Sequence, residues 1–212
     1  MKPGHKPDPF TAKAQKQGFP ARSVFKLEEI DRRCHLVRSG HRVLDLGAAP
    51  GSWTRYLAQH VGPRGAVYAV DLNPLRIPVT PNITFEQMDI LESPVERFAA
   101  WGPFDLVVSD IAPHTSGIKE ADAARSEALV ERCLDIADAS LAFGGSFVSK
   151  IFQGAGFEAV RARMRGTFET VRVIKPEASR KESVEIYLVG LKRKTALPPP
   201  PPPHAAPPAE GA

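Results

Sequence analysis

Short apolar runs alternate along the chain with segments of helical periodicity. Seven runs are patterned like strands, at 41–46, 66–72, 83–89, 104–110, 145–152, 169–176 and 184–193. Three segments between them, 53–61, 121–141 and 157–166, carry apolar residues at the three- and four-residue spacing of helices. Strands that alternate with helices in this way predict a largely parallel sheet covered by helices on both faces.

The last two strands are expected to pair differently from the others. Only residues 176–183 connect them, which is too short for a right-handed crossover between parallel strands. They are therefore predicted to form an antiparallel hairpin at one end of the sheet. The predicted fold class is α/β, with seven strands that are mostly parallel and a last strand that is antiparallel.

Both ends of the chain depart from this alternating pattern. Residues 1–18 are rich in lysine and predict a flexible basic arm suited to a polyanion, although a merely solvated tail would have the same composition. Residues 195–212 include six consecutive prolines and predict an extended or disordered tail. One folded domain is expected between them, over residues 19–194.

Composition narrows the class of protein further. No apolar run approaches the length of a membrane span, and the first residues lack the apolar stretch of a secretion signal. Cys34 and Cys133 stand far apart in the sequence, as expected of reduced thiols in a cytoplasmic protein. The six histidines lack the spacing of metal ligands, so no metal site is expected.

Charged residues recur where the predicted strands end. In an open α/β sheet, ligands bind at the carboxyl ends of the parallel strands. Five strand tips bring a charge to this edge, and the antiparallel last strand begins there with another. These residues are Asp45, Asp71, Asp89, Asp110, Lys150 and Glu185. Each one alone is typical of a solvated strand end or a helix cap, but together they predict a functional site.

The glycine-containing loop after the first strand indicates the kind of ligand. A dinucleotide site requires G-x-G-x-x-G, whereas this loop has only Gly47 and Gly51, with a proline between them. A nicotinamide-dependent oxidoreductase is therefore disfavoured. Asp71 lies where an acid binds ribose hydroxyls in such folds, and Asp89 could accept a hydrogen bond from an adenine amine. S-adenosyl-L-methionine, a nucleoside without phosphate, meets these demands.

Five stretches together resemble the FtsJ/RlmE family of RNA ribose 2′-O-methyltransferases. They are ARSVFKLEEI (21–30), VLDLGAAPGSW (43–53), VSDIAPHTSG (108–117), GGSFVSKIF (144–152) and KPEASRKESVEIYLV (175–189). The resemblance covers nearly all of residues 19–192. The departures are small: the first stretch has one arginine where many members have two, and Phe25 replaces a common tyrosine.

The resemblance implies a Rossmann-like seven-stranded methyltransferase fold with S-adenosyl-L-methionine as its cofactor. The family's K-D-K-E catalytic set falls on Lys26, Asp110, Lys150 and Glu185. Its cofactor contacts fall on Gly51, Trp53, Asp71, Asp89 and Asp110. The implied substrate is a uridine of large-subunit (23S) ribosomal RNA, free or in the large ribosomal subunit, and the protein is expected to be a monomer.

Several alternatives stay open at this point. The substrate could be transfer RNA or another RNA, and the chain could be a non-catalytic RNA-binding assembly factor. Lys150 is the candidate base, and Phe147, Ile151 and Phe152 are expected around it. The ordinary alternative is a lysine whose aliphatic chain carries its ammonium group to solvent. Lys26 is expected on an amphipathic helix, and alone would be read as a solvated lysine on its outer face. Trp53 could pack under the first helix instead of contacting cofactor. The residues suggested to touch RNA are His114, Lys175, Ser179 and Arg180.

Overall fold

The computed structural model describes residues 8–180, 183–195 and 197, and its seven strands form one sheet. The strands are β1 Arg42–Leu46, β2 Ala66–Asp71, β3 Ile83–Gln87, β4 Phe104–Ser109, β5 Leu141–Phe152, β6 Phe168–Ile174 and β7 Glu185–Arg193. Their order is β3-β2-β1-β4-β5-β7-β6. The first five strands are parallel, and β7 runs antiparallel to both β5 and β6. The predicted sheet and terminal hairpin are confirmed.

Six helices cover the two faces of the sheet. They are α1 Pro9–Lys16, α2 Val24–Cys34, α3 Ser52–Val61, α4 Val95–Trp101, α5 Lys119–Ser140 and α6 Phe157–Thr167. Apolar residues of α1, α2 and α3 pack on one face, and those of α4, α5 and α6 pack on the other. Among the described helices, none is both long and apolar enough to cross a membrane.

The segment expected to be a basic arm differs from that expectation over residues 9–16, which form α1. Asp8 caps the helix by accepting a hydrogen bond from the Phe10 amide. The Phe10 ring lies 5.8 Å from that of Phe25 on α2, and Ala14 is buried. The exposed lysines of α1 dominate its composition, so its short apolar side was not recognised in the sequence. Residues 1–7 and nearly all of the proline-rich tail lie outside the described residues.

The pairing of β5 with β7 positions the charged edge of the sheet. Lys150 lies opposite Tyr187, and Phe152 lies opposite Glu185. Directly opposed residues of an antiparallel pair point to the same face, as do residues two apart on one strand. Lys150, Glu185 and Tyr187 therefore share the face covered by α2, which carries Lys26.

Candidate active site

The four residues predicted to be catalytic form two ion pairs at this edge. The Lys150 Nζ lies 3.1 Å from Asp110 Oδ1 and donates to the Asp110 carbonyl oxygen at 2.5 Å. The Lys26 Nζ lies 2.5 Å from Glu185 Oε1. Side-chain exposure is at most 17% in all four. Burial on this scale requires charge compensation, and the pairs provide it.

Tyr187 joins the two ion pairs into one cluster. Its hydroxyl donates to Asp110 Oδ1 at 2.6 Å, and its ring centroid lies 5.9 Å from the Lys26 Nζ. Burial, together with the charge of Asp110, raises the pKa of Tyr187 well above its ordinary value, so the hydroxyl remains a neutral donor. The sequence predictions missed Tyr187. Its position two residues after Glu185 on a strand was the available signal.

The surroundings of Lys150 differ from those expected. Phe147 and Ile151 belong to the apolar cluster on the opposite face of the sheet, because side chains alternate along β5. On the lysine's own face lie Val148 and, as expected, Phe152, each two residues from Lys150 on β5. The stem does not reach solvent, because the side chain is 8% exposed and its ammonium is held by Asp110.

The loop after β1 approaches its neighbours so closely that glycine is required at two positions. Gly47 and Gly51 have φ angles of +76° and +108°. A Cβ at Gly47 would lie 2.0 Å from Ile111, and one at Gly51 would lie 2.7 Å from Ile77. Asp71 holds the same loop, because its Oδ2 accepts a hydrogen bond from the Ala49 amide at 2.9 Å.

A cavity of about 610 Å³ opens beside this loop. Three of the predicted cofactor residues line it, namely Asp71, Asp89 and Asp110. Backbone at Gly47, apolar residues such as Leu129 and the polar residues Asn73, His114 and Arg125 also line it, whereas Gly51 and Trp53 are not among its lining residues. A cavity of this size suits a nucleoside-sized ligand. A second cleft, about 710 Å³, beside α3 has no carboxylate among its described lining residues.

Trp53 packs beneath the start of α2. It is 3% exposed, and its Nε1 donates to the Ser23 carbonyl at 2.9 Å. Its ring lies 5.8 Å from the Tyr187 ring at an angle of 33°. The indole thus packs under a helix, and its expected contact with the cofactor stays a prediction. Trp53 thereby supports both Tyr187 and the backbone that leads to Lys26.

Asp45 is buried between the sheet and α3, behind the glycine loop. Its Oδ2 accepts a hydrogen bond from Thr54 Oγ1 at 2.7 Å, whereas Oδ1 has no partner among the described residues. Burial raises the pKa of Asp45 to about 7, and the charges of Asp110 and Asp71 act in the same direction. A pKa near neutrality leaves the Asp45 carboxyl partly protonated at pH 7.

The residues suggested to contact RNA are distributed over two loops. His114 is exposed and lines the cavity after β4. Lys175 donates to the Ser183 carbonyl at 3.0 Å within the β6–β7 connection, where Arg180 is exposed and Ser179 is buried. The cavity, the cluster and these loops lie at the carboxyl ends of the parallel strands, and their role as a ligand site stays a prediction.

Comparison with known proteins identifies the kind of chain that builds this site. The family model described as "FtsJ-like methyltransferase" matches residues 19–193. The protein named "Ribosomal RNA large subunit methyltransferase E" in Sorangium cellulosum is 54% identical over 194 residues, covering 92% of each chain. Its namesake in Myxococcus xanthus is 45% identical over 197 residues, covering 91% of this chain and 92% of that one.

Solved structures share the fold at low sequence identity. A Plasmodium falciparum protein described as a ribosomal RNA methyltransferase has a TM-score of 0.70 at 22% identity, covering 82% of this chain and 98% of that one. Human methyltransferase-like protein 13 in complex with SAH has a TM-score of 0.55 at 18% identity, covering 72% of each chain. The family model spans most of the chain, and the chain belongs to the FtsJ-like methyltransferase family.

Proposed function

We propose that the protein transfers a methyl group from S-adenosyl-L-methionine to the 2′-hydroxyl of a uridine in large-subunit (23S) ribosomal RNA. The observation that carries the proposal is the buried cluster of Lys26, Asp110, Lys150, Glu185 and Tyr187 beside a carboxylate-lined cavity. The names of the relatives support the class of RNA.

The cavity fits the cofactor in size and charge. S-adenosyl-L-methionine carries a sulfonium and an ammonium group, and the described lining includes Asp71, Asp89 and Asp110. Asp89 Oδ1 accepts a hydrogen bond from the Leu91 amide at 2.8 Å, which fixes its carboxylate at the cavity wall. Gly47 brings backbone to the cavity wall, and a side chain there would collide with Ile111.

Lys150 is proposed to position the ribose hydroxyl and to receive its proton. Methyl transfer from a sulfonium forms an oxygen–carbon bond, breaks a sulfur–carbon bond and releases the hydroxyl proton. The ammonium of Lys150 has three donor positions, and Asp110 occupies two of them through its carboxylate and carbonyl oxygens. The third position is left for the hydroxyl oxygen. To receive the proton, Lys150 must first release the proton at this third position to water, after which its neutral amine nitrogen accepts the hydroxyl proton.

Lys26, Glu185 and Tyr187 are proposed to hold this geometry. Glu185 balances the charge of Lys26, so the cluster contains two positive and two negative groups. Tyr187 donates to the same Asp110 oxygen that faces Lys150, which restricts the carboxylate to one orientation. A fixed constellation favours alignment of hydroxyl and methyl group, on which displacement depends.

The surface near the site is suited to RNA phosphate. Exposed cations lie on α1, as Lys13 and Lys16, and on the β6–β7 connection, as Lys175 and Arg180. Arg22 bonds to the Ala178 carbonyl and so links the turn before α2 to that connection. Phosphate contacts from such residues would contribute affinity that weakens with salt.

The test is methyl transfer to purified RNA pools with tritium-labelled cofactor. Large ribosomal subunits, free large-subunit RNA, small subunits and transfer RNA are each incubated with the protein, and labelled nucleosides are identified after digestion. Lys150→Ala is compared with Lys192→Ala as a control. Lys192 is an exposed lysine on β7 that forms an ion pair with Glu169 on β6, away from Lys150 on β5.

The proposal expects 2′-O-methyluridine in large-subunit RNA with the wild-type protein and with Lys192→Ala. Lys150→Ala should lower the rate at least about 100-fold, in the range found when a general base or positioning group is removed. Label in transfer RNA, in bases or in protein would overturn the substrate assignment. Full activity of Lys150→Ala would overturn the role of the cluster.

A further inference from the structure

The loop that follows the catalytic aspartate is held by two side chains of α5. Residues 111–118 form neither helix nor strand, yet residues 111–114 line the cavity. Asp122 Oδ1 accepts hydrogen bonds from the Ser116 amide at 2.7 Å and from the Ser116 hydroxyl at 2.9 Å. Its Oδ2 accepts one from the Gly117 amide at 3.1 Å.

Arg125 completes this attachment from the next turn of the helix. Its Nη1 lies 3.1 Å from Asp122 Oδ1 and donates to the His114 carbonyl at 3.3 Å. Its Nη2 lies 3.4 Å from the Ser116 hydroxyl. The two side chains therefore bind the loop at three points, His114, Ser116 and Gly117.

The pair joins α5 to the loop beside the proposed cofactor cavity. Asp122 is buried, and the hydrogen bond from the Ser116 amide lowers the pKa of its carboxyl, which keeps it ionised at neutral pH. Arg125 itself lines the cavity, as do Ala128 and Leu129 farther along α5. One face of α5 thus forms part of the wall and also holds the adjoining loop.

We propose that Asp122 and Arg125 are positioning residues that hold residues 111–118 in the arrangement that binds S-adenosyl-L-methionine. Neither belongs to the catalytic set, and neither is assigned a contact with the RNA. The inference rests on the proposed function, because it takes the cavity as the cofactor site. It predicts that loss of the pair weakens cofactor binding and leaves the chemical step largely intact.

Asparagine at position 122 cannot reproduce these contacts. Its amide has one acceptor oxygen, and its NH₂ group would face either the Gly117 amide or the donors at Oδ1. Loss of the charge also breaks the ion pair of Asp122 with Arg125. If the loop then holds its binding arrangement about a tenth of the time, the apparent cofactor Kd rises about tenfold.

The experiment compares Asp122→Asn and Arg125→Gln with Glu158→Gln in the full chain. Glu158 and Arg161 form a helical ion pair of the same spacing and distance, 3.1 Å, on α6. Calorimetry measures the Kd of S-adenosylhomocysteine, and steady-state assays give cofactor KM and kcat. Hydrogen exchange at the Ser116 and Gly117 amides follows the loop in each folded variant.

The expected result is a Kd and KM about tenfold higher in the two α5 variants, faster exchange at both amides, and kcat within about threefold of wild type. Glu158→Gln should match wild type throughout. Unchanged Kd in folded α5 variants, or a loss confined to kcat, would overturn the positioning role alone. Failure of the wild-type protein to bind S-adenosylhomocysteine would overturn the proposed function and this inference together.

Discussion

Replacing Asp45 with asparagine tests the electrostatics behind the glycine loop. Asp45 is 1% exposed, and only one of its two oxygens has a hydrogen-bond partner among the described residues. An asparagine side chain is close to isosteric with aspartate, and its carbonyl oxygen can accept the Thr54 hydroxyl in place of Oδ2. The substitution therefore removes the titration of this group while preserving its size and its one contact.

The size of the effect follows from the pKa of Asp45, which is 3.8 ordinarily and about 7 in the folded protein. The unfolded chain loses this proton near pH 4, whereas the folded protein retains it until about pH 7. Stability therefore falls as the pH rises through this window, because folding in it requires proton uptake. At about 1.4 kcal/mol per pKa unit, the full loss approaches about 4 kcal/mol above pH 7.

Urea unfolding of wild type and Asp45→Asn between pH 4 and 8.5 measures this directly. As the pH rises from about 4 to about 7, the free energy of unfolding of Asp45→Asn minus that of wild type should increase by several kcal/mol. Above that pH the difference should be constant. A new amide donor without an acceptor costs about 1–3 kcal/mol at every pH, so the change with pH is the informative quantity. A difference between the two proteins that stays constant with pH would refute the reasoning.

Two further substitutions test the cluster and the cavity. Tyr187→Phe keeps the ring but removes the donor to Asp110, a hydrogen bond to a charged group worth about 1.5–3 kcal/mol, so kcat should fall about 10- to 100-fold. Cofactor Kd should change less than threefold, and an unchanged kcat would exclude the orienting role. Asp71→Asn should raise the cofactor Kd at least about tenfold by calorimetry, because its amide cannot accept from both Ala49 and Asn73. Equal affinity would show that Asp71 neither shapes the loop nor contacts the ligand.

The sheet was predictable because its signals are strong and local. Apolar runs and connection lengths indicated seven strands and the antiparallel hairpin, as the pairing of β6 with β7 confirms. Helices α1 and α4 were not predicted. Both are short, with eight and seven residues, so too few turns exist for periodicity to be distinct from chance. The structural role of their apolar residues is evident only from packing, as it is for Phe10 against Phe25.

The candidate site was predictable as far as strand ends define it. The edge that gathers Asp110, Lys150 and Glu185 follows from sheet topology, and the structure brings these residues together with Lys26. Tyr187 and the two loop-holding residues of α5 were not identified. Their roles depend on side-chain contacts between residues that are not neighbours in the sequence, and no local sequence pattern indicates such contacts.

The measurement that tests the central claim most directly is mass-spectrometric mapping of ribose methylation in cells that lack this protein. One 2′-O-methyluridine should disappear from large-subunit ribosomal RNA. The wild-type gene should restore it, whereas a gene encoding Lys150→Ala should not. Unchanged methylation of that RNA without the protein, or full restoration by Lys150→Ala, would contradict the account.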